Sequence, residues 1–276
     1  MEIELGSGRL RYQEVGSGPP VVFVHGLLVN GDLWRKVVPA VAGAGYRCLA
    51  PDWPLGAHSV PMPRADLSPP GVAALIAEFL DRLDLRDVTL IANDTGGALT
   101  QLAMAAHPSR IGRVVLTSCD CFEAFFPSVF APLPRLVRIP GATWLLVQAL
   151  RVRALHRLPM TFGWAAKRQP PAEVVDSYLM PSRISPEVRA DLRRFVSGVH
   201  NRHTLAAVAK LREFDRPVLL AWAREDKLFP VSLARRLASV LPDARLELID
   251  DSYTFVPEDQ SQALARLVVN FLGATS

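Results

Sequence analysis

The chain has 276 residues, half of them apolar and about a fifth charged, with a formal net charge of +4. Such a length buries one large core. The apolar run WLLVQAL at residues 144–150 is far shorter than the roughly 20 residues a membrane-crossing helix needs, so no membrane span is expected. The start, MEIELGSG, lacks the basic-then-apolar order of a secretory signal. With only Cys48, Cys119 and Cys121, a reduced, cytoplasmic setting is expected, with no metal and no cofactor. The charge is uneven: residues 121–212 hold 14 Lys/Arg against 5 Asp/Glu, and the remainder 17 against 22. A basic segment suits anionic substrates or a membrane surface, and reads more simply as solvated helix faces. No nucleic-acid-binding motif accompanies it, so no nucleic-acid partner is expected.

In chain order, LRYQEVG alternates and ends in a Gly-Ser-Gly-Pro-Pro turn, as a hairpin strand does. VVFVHG is a continuous apolar run, the mark of a strand covered on both faces. LWRKVVPAVAGAG has helical spacing and ends in glycine. Then come strand RCLAPD, helix PPGVAALIAEFLDRLD, strand VTLIAND, helix GGALTQLAMAAHP and strand RVVLTSCD. After Asp120 the pattern breaks: residues 121–212 are proline-rich and helical with no clear buried strand. Alternation resumes with strand RPVLLAWA, helix SLARRLASVLP, strand ARLELID and helix EDQSQALARLVVNFL. The expected fold is α/β, a doubly wound, mostly parallel sheet in two parts, 1–120 and 213–276, interrupted by a helical insertion at 121–212. No internal repeat is visible.

Sites in open parallel sheets form at the carboxyl ends of strands. Four such ends carry polar residues here: His25-Gly26, Asp94, Asp120 and Asp226. Asn-Asp suits a tight turn by itself. An acid at the tip of a strand-to-helix turn, followed by two glycines, also suits a nucleophile aimed into a cleft.

Over nearly the whole chain outside the insertion, the sequence resembles the α/β-hydrolase superfamily. VVFVHG followed by LLVNGDLW is similar to its oxyanion loop, NDTGG takes the place of its nucleophile elbow, usually G-x-S-x-G, and AREDKLFP is similar to its acid loop. The family often inserts a helical cap where residues 121–212 fall. Asp in place of Ser is similar to haloalkane dehalogenases and epoxide hydrolases, in which the carboxylate attacks carbon and a histidine-activated water releases the ester. The resemblance therefore implies Asp94 as nucleophile, the N–H groups of Leu27 and Thr95 as oxyanion donors, and Asp226 or Asp120 as supporting acid. A carboxylate is already ionised at neutral pH and needs no base to attack.

Thr254, after Tyr253 in IDDSYTFVPEDQ, stands where the family carries its histidine. The chain's histidines are His25, His58, His107, His156, His200 and His203. His25 belongs to the oxyanion loop, His107 closes the helix after the elbow, where a histidine suits the helix dipole, and His58, His156, His200 and His203 are the alternative bases. Thr95 stands where dehalogenases typically carry a halide-binding Trp, and Leu27 where they often carry Asn. Tyr178 and Tyr253 are the tyrosines placed to protonate an epoxide oxygen. Phe122, Phe125, Phe126, Phe130, Trp144, Phe162 and Trp164 pack the insertion onto the core, and some of them, with His25 and Tyr178, are expected to line an apolar pocket. Three functions follow: a hydrolase with Asp94 as nucleophile acting on an apolar or aromatic small molecule; a lyase, isomerase or cyclase with Asp94 as acid/base; and a ligand-binding protein derived from a hydrolase. The oligomeric state is not legible in the sequence.

Overall fold

A computed structural model describes residues 1–159 and 161–274. Eight strands form one sheet in the order β1-β2-β4-β3-β5-β6-β7-β8. They are β1 (Glu2–Leu5), β2 (Gly8–Val15), β3 (Pro20–Val24), β4 (Arg47–Pro51), β5 (Val88–Asp94), β6 (Ile111–Cys119), β7 (Val218–Ala223) and β8 (Ala244–Ile249). β2 pairs antiparallel with β1 and β4, and every pairing from β4 to β8 is parallel. The central strands are apolar throughout because helices cover both faces: Val21 to Val24, Leu90 to Ala92 and Val114 to Leu116 have no measurable exposure. β1 is an addition to the sequence reading. Its four residues are mostly exposed, so no burial pattern marks it.

The helices are α1 (Val38–Gly43), α2 (Pro69–Arg82), α3 (Thr95–Ala106), α4 (Leu133–Leu136), α5 (Ala142–Ala149), α6 (Ala172–Ile184), α7 (Pro186–Gly198), α8 (Arg202–Leu211), α9 (Val231–Val240), α10 (Val256–Asp259) and α11 (Ser261–Ala274). The stretch LWRKVVPAVAGAG splits into a 3-10 turn at Gly31–Trp34 and the short α1, with Pro39 in its first turn. Ser68 caps α2 by accepting from Gly71 N–H at 3.2 Å. α1 packs with α11, and α2 and α8 pack along α3.

Between β6 and β7 the described residues contain no strand, as the sequence pattern requires. α4 to α7 pack on one another, whereas α8, the last helix of the 121–212 segment, lies along α3. α7 is tied to the loop between β4 and α2 by a buried cluster. Asp191 Oδ2 lies 3.1 Å from His58 Nε2 and accepts from Met62 N–H at 2.7 Å, while Arg194 donates to the carbonyls of Met62, Pro63 and Ala65.

Candidate functional site

The apolar run of β5 ends at Asn93, and Asp94 takes φ 55°, ψ −133° before α3 begins at Thr95. Positive φ is costly for a residue with a Cβ and persists only where the surroundings over-determine it. Here they do. A Cβ on Gly96 would come within 2.3 Å of the Val24 carbonyl, so only glycine lets α3 start this close to β3. Gly26 is equally constrained, since a Cβ there would stand 2.1 Å from Asp94 Oδ2. The turn presses the Asp94 carboxylate onto the β3 loop, where it accepts hydrogen bonds from the backbone N–H groups of Thr95 and Leu27. Burial pushes Asp94 up to about 6; those two hydrogen bonds oppose the shift and the charge of Asp226 adds to it.

Asn93, which sequence reasoning treated only as a turn residue, locks the turn in place. Its Nδ2 donates to Thr117 Oγ1 at 2.7 Å, to the Ser118 carbonyl at 3.3 Å and to the Thr254 carbonyl at 2.7 Å. One side chain thus joins β5, β6 and the loop after β8. The available signal was a buried amide one residue before the elbow acid.

Asp226 and Thr254 meet. The Thr254 hydroxyl lies 3.0 and 3.1 Å from the two Asp226 oxygens and donates to that carboxylate. Asp226 Oδ1 also accepts from the N–H groups of Leu228 and Phe229, both at 2.8 Å, and the carboxylate accepts from the Ser118 hydroxyl. Burial nevertheless pushes Asp226 up to about 6. The Asp226 carboxylate is therefore well supplied with donors, with a hydroxyl donating where the resemblance would put an imidazole. Thr254 is fully buried, and Asp259 fixes its loop by accepting from the N–H groups of Tyr253, Lys167 and Arg168.

Asp120 sits one residue past β6 and is fully buried. Apart from the neighbouring Thr95 hydroxyl, its oxygens meet no hydrogen-bonding group. Burial holds it well above the usual carboxylate range, and the Asp94 charge raises it further. Burial without a full set of hydrogen-bond partners favours the neutral form of such a group.

Asp94 and Thr95 form the polar floor of a cavity of about 330 Å³. Its walls come from the β3 loop (Leu27, Leu28), the loop after β6 (Phe126, Phe130), α4 and α5 with the residue after it (Leu133, Leu136, Leu146, Leu150), Leu155, Leu158, Phe162 and Ala165, and the loops after β7 and β8 (Leu228, Phe255). Apart from the floor, Thr161 is the one polar side chain on this wall, and its hydroxyl is turned to the carbonyls of Leu155 and Leu158. Of the expected lining residues, Phe126, Phe130 and Phe162 are on the wall. His25, Trp144 and Tyr178 are not. His25 is buried beneath the loop, its Nδ1 donating to the Gly26 carbonyl and its Nε2 accepting from Trp53 N–H, and burial lowers it to about 4. Trp144 points to solvent and Tyr178 is fully buried beside Phe162. Tyr253 lies under the Lys227 ammonium, 4.5 Å from the ring centre, and is also absent from the wall.

No histidine lines this cavity among the described residues. His58 is paired with Asp191, His107 ends α3, His156 binds the Leu150 carbonyl, and His200 and His203 flank the start of α8. The described residues likewise hold no cluster of metal-ligating side chains.

A family model described as alpha/beta hydrolase fold matches residues 19–260. The chain belongs to that family. Among its relatives in the α/β-hydrolase superfamily is the 2-hydroxy-6-oxononadienedioate/2-hydroxy-6-oxononatrienedioate hydrolase of Cupriavidus pinatubonensis, 28% identical over 96% of this chain and 91% of that protein. The haloalkane dehalogenase of Mesorhizobium japonicum is 28% identical over 98% of this chain and 90% of that one. Among solved structures, epoxide hydrolase CorEH superposes with a TM-score of 0.83 at 19% identity, covering 100% of this chain and 99% of that one. The last likeness is one of fold. The family match and the haloalkane dehalogenase among the relatives fit the expected Asp-nucleophile branch.

Proposed function

We propose that the protein is a hydrolase that attacks a carbon electrophile of an apolar small molecule with the Asp94 carboxylate. The observation that carries this reading is the placement of Asp94: at a strained elbow, on two backbone N–H donors, on the floor of an apolar cavity. One carboxylate oxygen forms the C–O bond, the C–X bond breaks, and the leaving group takes the electron pair. Water then adds to the ester carbonyl and loses a proton to solvent, the N–H groups of Leu27 and Thr95 stabilise the resulting oxyanion, and its collapse breaks the acyl C–O bond, restores the Asp94 carboxylate and releases the alcohol, whose oxygen takes up a proton. Residues 121–201 form the cap and α8 belongs to the core layer, because α8 packs along α3. Asp226 is the supporting acid: its charge acts on Asp94 and it is tied to Thr254.

The second step is the slow one. Thr254 donates a hydrogen bond to Asp226 and supplies no base, and general-base help is typically worth about 10²–10⁴-fold. The test is intact-protein mass spectrometry after exposure to alkyl halides, epoxides and activated esters. A persistent mass increase that maps to Asp94 and is absent from Asp94→Asn is the expected result; no adduct and no product with any probe sinks the reading.

Two observations favour a second reading, acid/base catalysis without hydrolysis: among the described residues no histidine lines the cavity, and Asp94, at about 6, changes protonation close to neutral pH. Turnover in heavy-oxygen water separates the two. Label in the product excludes the non-hydrolytic route.

A further inference from the structure

The outer face of the cap combines two properties that soluble surfaces normally keep apart. From residue 124 to 172 the chain holds seven Lys/Arg and no Asp or Glu. Within the same stretch Leu136, Ile139, Trp144, Leu145, Val152 and Leu158 are exposed, Leu145 at 64% and Trp144 at 52%. Most of the large exposed apolar side chains of the described residues fall in this one segment. Single exposed apolar residues are ordinary, but a cluster of them marks an interaction surface. Among the described residues Arg135, Arg138, Arg151 and Arg157 form no salt bridge; Arg153 reaches Asp176 at 3.7 Å, and both partners are exposed.

We infer that this face of the cap docks on an anionic phospholipid surface, with Trp144 and Leu145 entering the headgroup boundary and the arginines meeting lipid phosphates. The charge decides the partner. Over these 49 residues the chain has seven cations and no carboxylate of its own; Arg153, Lys167 and Arg168 meet Asp176, Glu225 and Asp251 from other segments, and the positive excess left by Arg135, Arg138, Arg151 and Arg157 repels a second copy of this face and matches an anionic bilayer. Trp beside Leu, flanked by arginine, is the composition that settles at the membrane interface without crossing it. No helix among the described residues is long and apolar enough to cross a membrane. Leu136 and Leu158 connect this face to the site: both are partly exposed on the cap, and both line the cavity above Asp94. An apolar molecule dissolved in the bilayer thus meets the cavity wall directly. That delivery step rests on the cavity being the substrate site; the docking itself does not.

The test is sedimentation with vesicles of phosphatidylglycerol and phosphatidylcholine, against vesicles of phosphatidylcholine alone, while tryptophan emission is followed. The mixed vesicles should bind the protein and shift its emission to the blue. Binding should collapse near 1 M salt, where the screening length falls to about 3 Å. Arg151→Gln with Arg157→Gln should weaken binding roughly 25-fold, at about fivefold per arginine. Trp144→Ser with Leu145→Ser should weaken it roughly tenfold or more and abolish the blue shift. Both pairs lie off the cavity wall, and an unchanged melting temperature verifies that they fold. Asp94→Asn should bind vesicles like the parent, so a failure of docking and a failure of the chemistry are read separately. The inference is overturned by equal binding to both vesicle types, by no binding to either, by indifference to the Trp144 and Leu145 changes, or by a dimer in light scattering that buries Trp144 and excludes vesicles.

Discussion

At the scale of single residues, the site is a set of carboxyl groups held under different constraints. Asp94 must be ionised to attack, so adduct formation should rise with pH through a midpoint of about 6 and then level off. Removing the Asp226 charge with Asp226→Asn removes one contribution that raises Asp94, so the midpoint should fall below the parent's. A pH profile of adduct formation checks this, and an unmoved or raised midpoint contradicts the coupling. Asp120 allows a separate stability prediction. Its folded pKa lies well above the unfolded value, so folding takes up a proton above about pH 4, at about 1.4 kcal/mol per pH unit up to the folded pKa. Asp120→Asn stays neutral throughout. It should leave the melting temperature nearly unchanged at pH 4 and raise it progressively toward pH 8. Equal stability of the two proteins at pH 8 would show that Asp120 is not held protonated.

At the scale of elements, the strand-to-helix turn is the working part, and much of it was legible. The apolar run of β5 stops at Asn93-Asp94 and the glycines behind it mark close packing, so the elbow could be placed from residue types alone. The partners of Asp94 were named by resemblance, but nothing local shows that its carboxylate rests on both N–H groups; that depends on Gly26 lying against it. The same distance in sequence hid the Thr254 to Asp226 hydrogen bond, which spans 28 residues, and the His58–Asp191 contact, which spans 133. His25 looked like a wall residue because it follows a buried strand, yet its ring turns inward to Trp53. The first helix was read too long because 3-10 and α turns share apolar spacing over so few residues. Gly26→Ala tests how much the turn depends on that close contact. The added methyl must displace the carboxylate, so adduct formation should fall by about 10²-fold or more, as expected when oxyanion-type donors are lost. The circular dichroism spectrum should stay native. Full labelling by this variant would show that the two N–H contacts are dispensable.

At the scale of the whole molecule, the sheet is fully buried at its centre, while the helices between β6 and β7 leave space over its carboxyl edge instead of filling it. An apolar cavity of about 330 Å³ lies within the usual range for small-molecule sites. An occupant that matches its wall should gain affinity from the contacts a void lacks. Binding to the folded state alone then stabilises it by mass action, about 2.7 kcal/mol at a ligand concentration 100 times Kd. For a chain of this length each kcal/mol moves the melting temperature by roughly 2–4 °C, so the shift should be roughly 5–10 °C. Asp94→Asn is the right protein for the measurement, because on the proposed reading it binds and does not react. Apolar and aromatic compounds should raise its melting temperature. Polar compounds of the same size should not, since apart from the floor the wall offers only Thr161, whose hydroxyl is already engaged. Shifts of equal size from both classes would mean that the ligands bind elsewhere, and the link between the closed apolar cavity and the elbow beneath it would fail.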